Sequence, residues 1–150
     1  MKPEPDIKSN SPVTPSSVLK NARTLIYGLG RMQHHVEAAL AYSEGTHTFD
    51  DIVLMVLNGR LRFMPLANSF LMTEVTVYPQ TNHLNVFLAG GDLDEIRAQQ
   101  AALEEMAVLA GCSAITLSGR RGWIMALKQL GWKESHTTAF YTITKDQTNG

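Results

Sequence analysis

The sequence predicts a mixed α/β domain in which an antiparallel meander of strands leads into a β-α-β-α-β unit. Three stretches carry that expectation. Thr46 to Asp51 starts a helix that Asn58-Gly59 stops. Phe70 to Tyr78 alternates as a strand does and is flanked by short turns. Leu84 to Gly91 is an apolar strand ending in two glycines, and Asp92-Leu-Asp-Glu-Ile96 follows at once with a helical pattern.

Composition bounds what such a domain can do. At 150 residues, 44% hydrophobic and 18% charged, the chain is expected to be one domain with a real core. A formal net charge of -1 supplies no field that would draw it to nucleic acid or an anionic membrane, so nucleic acid is not expected as a specific ligand. The single cysteine, Cys112, excludes an intramolecular disulfide and any cysteine-based zinc site, and its default role is a buried structural thiol. No apolar run reaches the roughly 20 residues of a membrane span. The N-terminus has no apolar signal-peptide core, so secretion through a signal peptide is not expected.

The elements are expected in this order. Residues 1–17 hold four prolines and four serines and are expected to form a flexible arm that orders only against a partner. Residues 18–145 form the domain, and 146–150 a tail. Gly28 and Gly30 read as a turn, and Met32 to Ser43 as a short helix closed by Gly45. His34 and His35 are adjacent and so point to different faces of that helix. A metal pair on a helix wants a spacing of three or four, so no metal is expected. In the next helix Thr48 is a natural N-cap, Asp50 and Asp51 sit in the positive first turn, and Ile52, Val53, Val56 and Leu57 form the buried stripe.

Arg60 to Leu66 reads as the first strand, with Pro65 at an edge or bulge. Phe70 to Tyr78 is the second, with Leu71, Thr73, Val75 and Val77 on one face, and Leu84 to Ala89 the third. A helix is then expected from Asp92 to about Ala110, and a short strand from Cys112 to Leu117. Strand, helix and strand in that order require a parallel pair with a right-handed crossover. Ser118-Gly-Arg-Arg-Gly122 is a basic turn into a helix over Trp123 to Leu130, and Thr137 to Thr144 is expected to be the last strand.

This layout resembles the GNAT family of N-acetyltransferases. Leu127-Lys-Gln-Leu-Gly-Trp132 is similar to the family's ending, a helix running into leucine-glycine-aromatic. The combination of Asn58-Gly59, Thr73-Glu74-Val75, Tyr78-Pro79, Ala89-Gly90-Gly91 and Gly119 to Trp123 is similar to a set of small GNAT-like proteins encoded by tailed bacteriophages. That resemblance implies a virion or host-cytoplasm location and other phage structural proteins as partners, in a homo- or hetero-oligomer. Some members of the wider group are internal virion proteins ejected with DNA.

It also implies where acetyl-CoA would sit. GNAT enzymes hold its pyrophosphate in a Gln/Arg-x-x-Gly-x-Gly/Ala loop at a helix N-terminus. The matching residues here are Gly90, Gly91 and Asp92, and the leading Gln/Arg and the Gly-x-Gly spacing are absent. Asp92, Asp94 and Glu95 stand where the anionic cofactor would dock, and carboxylates there cap the helix and repel a polyanion. Aligned on Leu130-Gly131-Trp132, Leu127 takes the place of the family's acid tyrosine and Arg120 that of its asparagine. The resemblance therefore implies a GNAT-like protein with a degenerate site, no cofactor and no catalytic residues, acting through contacts with partners. If the chain is an acetyl-CoA-dependent N-acetyltransferase instead, Glu74 is the candidate base and Tyr141 the candidate acid. Arg120, Arg121, Arg60 and Arg62 are the basic groups expected to matter, and Arg120 and Arg121, at a helix start, are the candidate contacts for an anion, a phosphate or a partner carboxylate. A nucleic-acid-binding module, with salt-dependent affinity that falls on Arg120→Ala, is the second alternative.

Overall fold

The computed structural model describes residues 14–144, so most of the expected arm and the expected tail lie outside it. The first element is a single long helix, α1 (Pro15–Leu40), where a turn and a short helix were expected. It begins inside the expected arm. The Thr14 hydroxyl accepts from the Ser17 N–H and the Ser17 hydroxyl accepts from the Thr14 N–H, both at 3.1 Å, and Pro15 starts the first turn. That is a capping box, and it needs no apolar residues. The helix also runs through Gly28 and Gly30. Each glycine costs about 1 kcal/mol relative to alanine. The buried stripe Leu29, Met32, Val36 and Leu40 offsets this, at roughly 1.5–3 kcal/mol for each large apolar side chain. Gly28 serves the packing, since a Cβ there would stand 3.1 Å from the Phe63 ring.

Helix α2 (Phe49–Leu57) forms as expected. The Thr48 hydroxyl accepts from the Asp51 N–H at 3.2 Å and the Asp51 carboxylate accepts from the Thr48 N–H at 2.8 Å. Ile52, Met55 and Val56 turn inward against α1. Four strands follow in the order β1-β2-β3-β4: β1 (Arg62–Pro65), β2 (Ser69–Val77), β3 (Asn82–Gly91) and β4 (Ala114–Leu117). The first three are antiparallel and β3 pairs β4 in parallel, which is the mixed sheet the sequence predicts. Met72 faces Leu88 while Thr73 faces Val86, so Phe87 is the extra residue of a bulge.

One sheet face, with Phe70 and Met72, packs on α1 and α2. Alternation places Leu71, Leu84 and Val86 on the other face. There the expected long helix arrives in two pieces, α3 (Leu93–Arg97) and α4 (Gln100–Leu109). The Gln99 N–H bonds to the Ile96 carbonyl one residue short of helical spacing, and Gln99 then opens α4. Ile96 and Leu103 are both buried and seven residues apart, so one apolar side survives the break. Cys112 lies before β4, half-buried, where a strand residue with a buried thiol was expected.

The chain divides into two compact units between Ser118 and Gly119, and the elements above form the first. The second contains α5 (Arg121–Leu127) and a tight 3-10 turn over Lys128–Leu130, covering the helix expected from Trp123 to Leu130. The expected last strand is not formed: residues 132–144 are neither helix nor strand. Thr137 to Thr144 has strand-forming residues, but a strand persists only against a ladder partner. Phe140, Tyr141 and Ile143 are all exposed. Among the described residues no helix is long and apolar enough to cross a membrane.

Candidate functional site

The expected cofactor turn is built from the end of β3, the start of β2 and α1. Gly90 is buried in the ladder opposite Phe70. A Cβ on it would come within 2.9 Å of the Phe70 ring and 3.1 Å of the His35 carbonyl oxygen. Gly91 has φ +101°, and a Cβ there would overlap the Asn68 carbonyl oxygen and lie 2.6 Å from the Ser69 Cα. Both glycines are therefore required by close approach of the protein's own backbone.

The polar groups of the turn are bonded to one another. The Asp92 N–H donates to the Asn68 carbonyl at 3.1 Å. The Asp92 carboxylate accepts from the backbone N–H groups of Asp94 at 2.9 Å and Glu95 at 3.4 Å, capping α3. The Glu95 carboxylate accepts from the Ser69 hydroxyl at 2.6 Å, from the Asn68 N–H at 2.9 Å and from the Asn68 side-chain amide at 3.3 Å. Arg31 of α1 closes the other side, donating to the Leu66 and Ala67 carbonyls at 2.8 and 3.1 Å. The Ser69 hydroxyl, then the Asn68 N–H, hold the Glu95 carboxyl below its ordinary value, with a smaller contribution from the Arg31 charge. Two of the N-terminal donors of α3 are thus taken by its N-cap Asp92, and two more acidic side chains, Asp94 and Glu95, stand in the first turn of this helix of five residues.

Glu74 lies four residues further along β2 than Phe70, opposite Asn85. It is half-buried. Its carboxylate accepts from the Asn85 side-chain amide at 3.1 Å, and the Thr116 hydroxyl donates to the Asn85 side-chain oxygen at 2.9 Å. Three adjacent strands thus share one polar line. Asn85 and Thr116 were not singled out from the sequence. The available signal was Asn85 itself, a polar residue between the buried Leu84 and Val86. Nearby, a cleft of about 360 Å³ opens beside the start of β1. Arg60 and Arg62 line it together with Thr73, Val75 and Leu84 and with Met106 of α4, and Glu74, bonded to Asn85, lines it as well.

The remaining candidates belong to the second unit. Tyr141 is 86% exposed. Arg120 is the N-cap residue of α5, its carbonyl accepting from the N–H groups of Trp123 at 3.0 Å and Ile124 at 3.3 Å, and Arg121 is the exposed first residue of that helix. On α1 the His34 and His35 rings are not splayed to different faces as expected, but sit 4.0 Å apart at 39°. No group of three His, Cys, Asp or Glu side chains suited to a metal occurs among the described residues. In all, the fold brings Gly90, Gly91 and Asp92 into one turn and sets Glu74 toward the opposite end of the β2–β3 ladder.

No family model matches the chain, and no curated protein matches it. Among solved structures it is similar to the Thermus thermophilus protein TTHA1254. A mutant form of that protein aligns with a TM-score of 0.53 at 13% identity, over 79% of this chain and 94% of that one. The wild type aligns with 0.51 at 14% identity, over 77% and 92%. A protein described as a possible acetyltransferase from Clostridium difficile 630 aligns with 0.48 at 9% identity, over 77% and 91%. At such identities the likeness to TTHA1254 is one of fold.

Proposed function

We propose that this chain carries an acetyltransferase-like fold whose cofactor turn is closed by its own side chains, and that it works as a structural or interaction protein without a cofactor. The observation that carries this reading is the bonding around Gly91. Asp92 occupies the N–H groups of Asp94 and Glu95, and Glu95 is itself tied to Asn68 and Ser69. An incoming pyrophosphate would have to displace a charge-assisted cap and sit among Asp92, Asp94 and Glu95. The resemblance of the short motifs to phage proteins is what supports a place in a virion, with Arg120 and Arg121 as partner contacts.

The competing reading is an acetyl-CoA-dependent N-acetyltransferase. One observation favours it: parallel pairing of β3 with β4 stops at Val86 and Leu117, so among the described residues the end of β3 that carries Gly90 has no strand beside it on that edge. Glu74, fixed by Asn85, would be the base. Thermal unfolding with and without excess acetyl-CoA decides between them. A ligand at 100 times its dissociation constant adds about 2.7 kcal/mol to the native state. No shift is the expected result. A clear rise in Tm, reduced by desulfo or dephospho analogues in proportion to the groups removed, would overturn the closed-turn reading and make the chain a cofactor binder.

A further inference from the structure

A second surface differs in kind from the glycine turn. β1 is short, and its ladder with β2 ends where Arg62 faces Thr73. Beyond that point β2 continues through Glu74, Val75, Thr76 and Val77, and among the described residues β3 is its only partner strand there. The Tyr78 N–H donates to the Thr81 carbonyl. By the alternation of an antiparallel ladder, Thr76 and Glu74 turn their backbone groups toward β3, and Val75 and Val77 turn theirs outward. Among the described residues no backbone bond meets them there. The preceding chain has left this edge: the Leu61 N–H bonds instead to the Met55 carbonyl at the end of α2. The gap it leaves is the cleft edged by Arg60 and Arg62.

The side chains along this edge are also unsatisfied. Val75 is 44% exposed and Val77 75%, although Thr73 two residues earlier is 2%. Arg60 and Arg62 are exposed, and neither guanidinium makes an ion pair or side-chain hydrogen bond among the described residues. Open strand edges are normally blunted, because they template pairing with another chain. An edge combining free backbone groups, an apolar floor and two unpaired arginines has the features of strand addition, in which main-chain bonds give affinity and pockets for alternate side chains give specificity.

We propose that the Val75–Val77 edge of β2 takes an extended acidic peptide segment of a partner protein as an added strand. One apolar side chain of that segment enters the cleft over Leu84 and Met106, and flanking carboxylates pair with Arg60 and Arg62. Charge complementarity sets this occupant apart from a second copy of the chain, which would bring the same two arginines to the contact. The proposal names a partner chemistry for the interaction role and rests on that role. Its test is nevertheless separate from the cofactor test, because the edge lies at the far end of the ladder from Gly91.

The probe is a blocked peptide, glutamate-serine-leucine-serine-glutamate, titrated into the full chain by fluorescence anisotropy. Two further versions carry N-methyl groups on one or the other set of alternate amides. The expected result is binding that weakens with salt, survives one methylation pattern and is lost with the other. Arg60→Glu with Arg62→Glu is expected to weaken it by roughly tenfold or more. Equal binding of a lysine version, or equal tolerance of both methylation patterns, overturns the proposal. So does no binding by a folded sample. Concentration-dependent dimers that compete with the peptide and are unaffected by the arginine changes would assign the edge to a second copy and overturn it equally.

Discussion

At one end of the β2–β3 ladder, where Ser69 faces Gly91, the carboxylates of Asp92 and Glu95 and the guanidinium of Arg31 are all bonded to backbone or hydroxyl groups of the same chain. At the other end, past Thr73, Arg60 and Arg62 have no carboxylate partner among the described residues and the backbone edge is open. The first end has the outward form of an anion site, a strand running through two glycines into a helix. The second has no motif at all. The contrast shows that a phosphate-binding turn depends on empty donors, and that glycines alone do not supply them. Here the glycines let β3 approach the Asn68–Ser69 backbone, and carboxylates then fill the donors that approach exposes.

The closed end is most vulnerable at Gly91. Gly91→Ala is expected to cost about 2–4 kcal/mol, because the new Cβ strikes the Asn68 carbonyl and the Ser69 Cα as well as straining a left-handed backbone. Chemical denaturation of the variant measures it. Gly91→Asn separates the two causes: asparagine tolerates positive φ but keeps the Cβ, so little recovery is expected. A mild effect of the alanine variant would show that the turn has slack, and slack is what a ligand-binding loop would need.

Glu95→Gln probes the same knot through charge. The folded carboxyl lies below its ordinary value, first because the Ser69 hydroxyl and then because the Asn68 N–H bond the ionised form. A depressed carboxylate stabilises the native state fully above its unfolded pKa, about 4.3, and that contribution is lost as pH falls through the lower folded value. Wild type is therefore expected to exceed the variant in Tm at neutral pH, with the gap closing below about pH 4. A gap that persists into strong acid would mean that the packing of Glu95, and not its charge, ties α3 to the Asn68 turn.

How much of this was legible in the sequence depends on how local each cause is. Helix α2 could be placed from Thr48, Asp51 and Asn58 because the bonds that cap each end span four residues or fewer. The β2–β3 hairpin and the parallel β3–β4 pair were legible from alternation and from connection length. Helix α1 was not, although Thr14, Pro15 and Ser17 spell its start, because proline and serine content outweighed a four-residue signature and two glycines masked the stripe from Leu29 to Leu40. The last strand was overread from the alternation of Thr137 to Thr144, since pairing cannot be seen in a single segment. At the site, the carboxylates around the glycine turn were visible as charge. Their partners were not: Glu95 meets Asn68 across 27 residues of chain and Arg31 meets Leu66 across 35. The open edge of β2 was invisible for the same reason, as it exists only because β1 begins as late as Arg62.

The smallest expected effect on stability separates the two ends furthest. Arg60→Gln with Arg62→Gln removes two charges at the open end, and the folded state uses neither in an ion pair among the described residues. Exposed substitutions of that kind stay within about 0.5 kcal/mol. The denaturation midpoint should match wild type while affinity for the acidic peptide falls, so that one pair of residues separates folding from binding. Charge held at a strand edge without a role in stability is charge the fold could lose freely. A large destabilisation would place both arginines in the structural network, and the two ends of the ladder would then be alike.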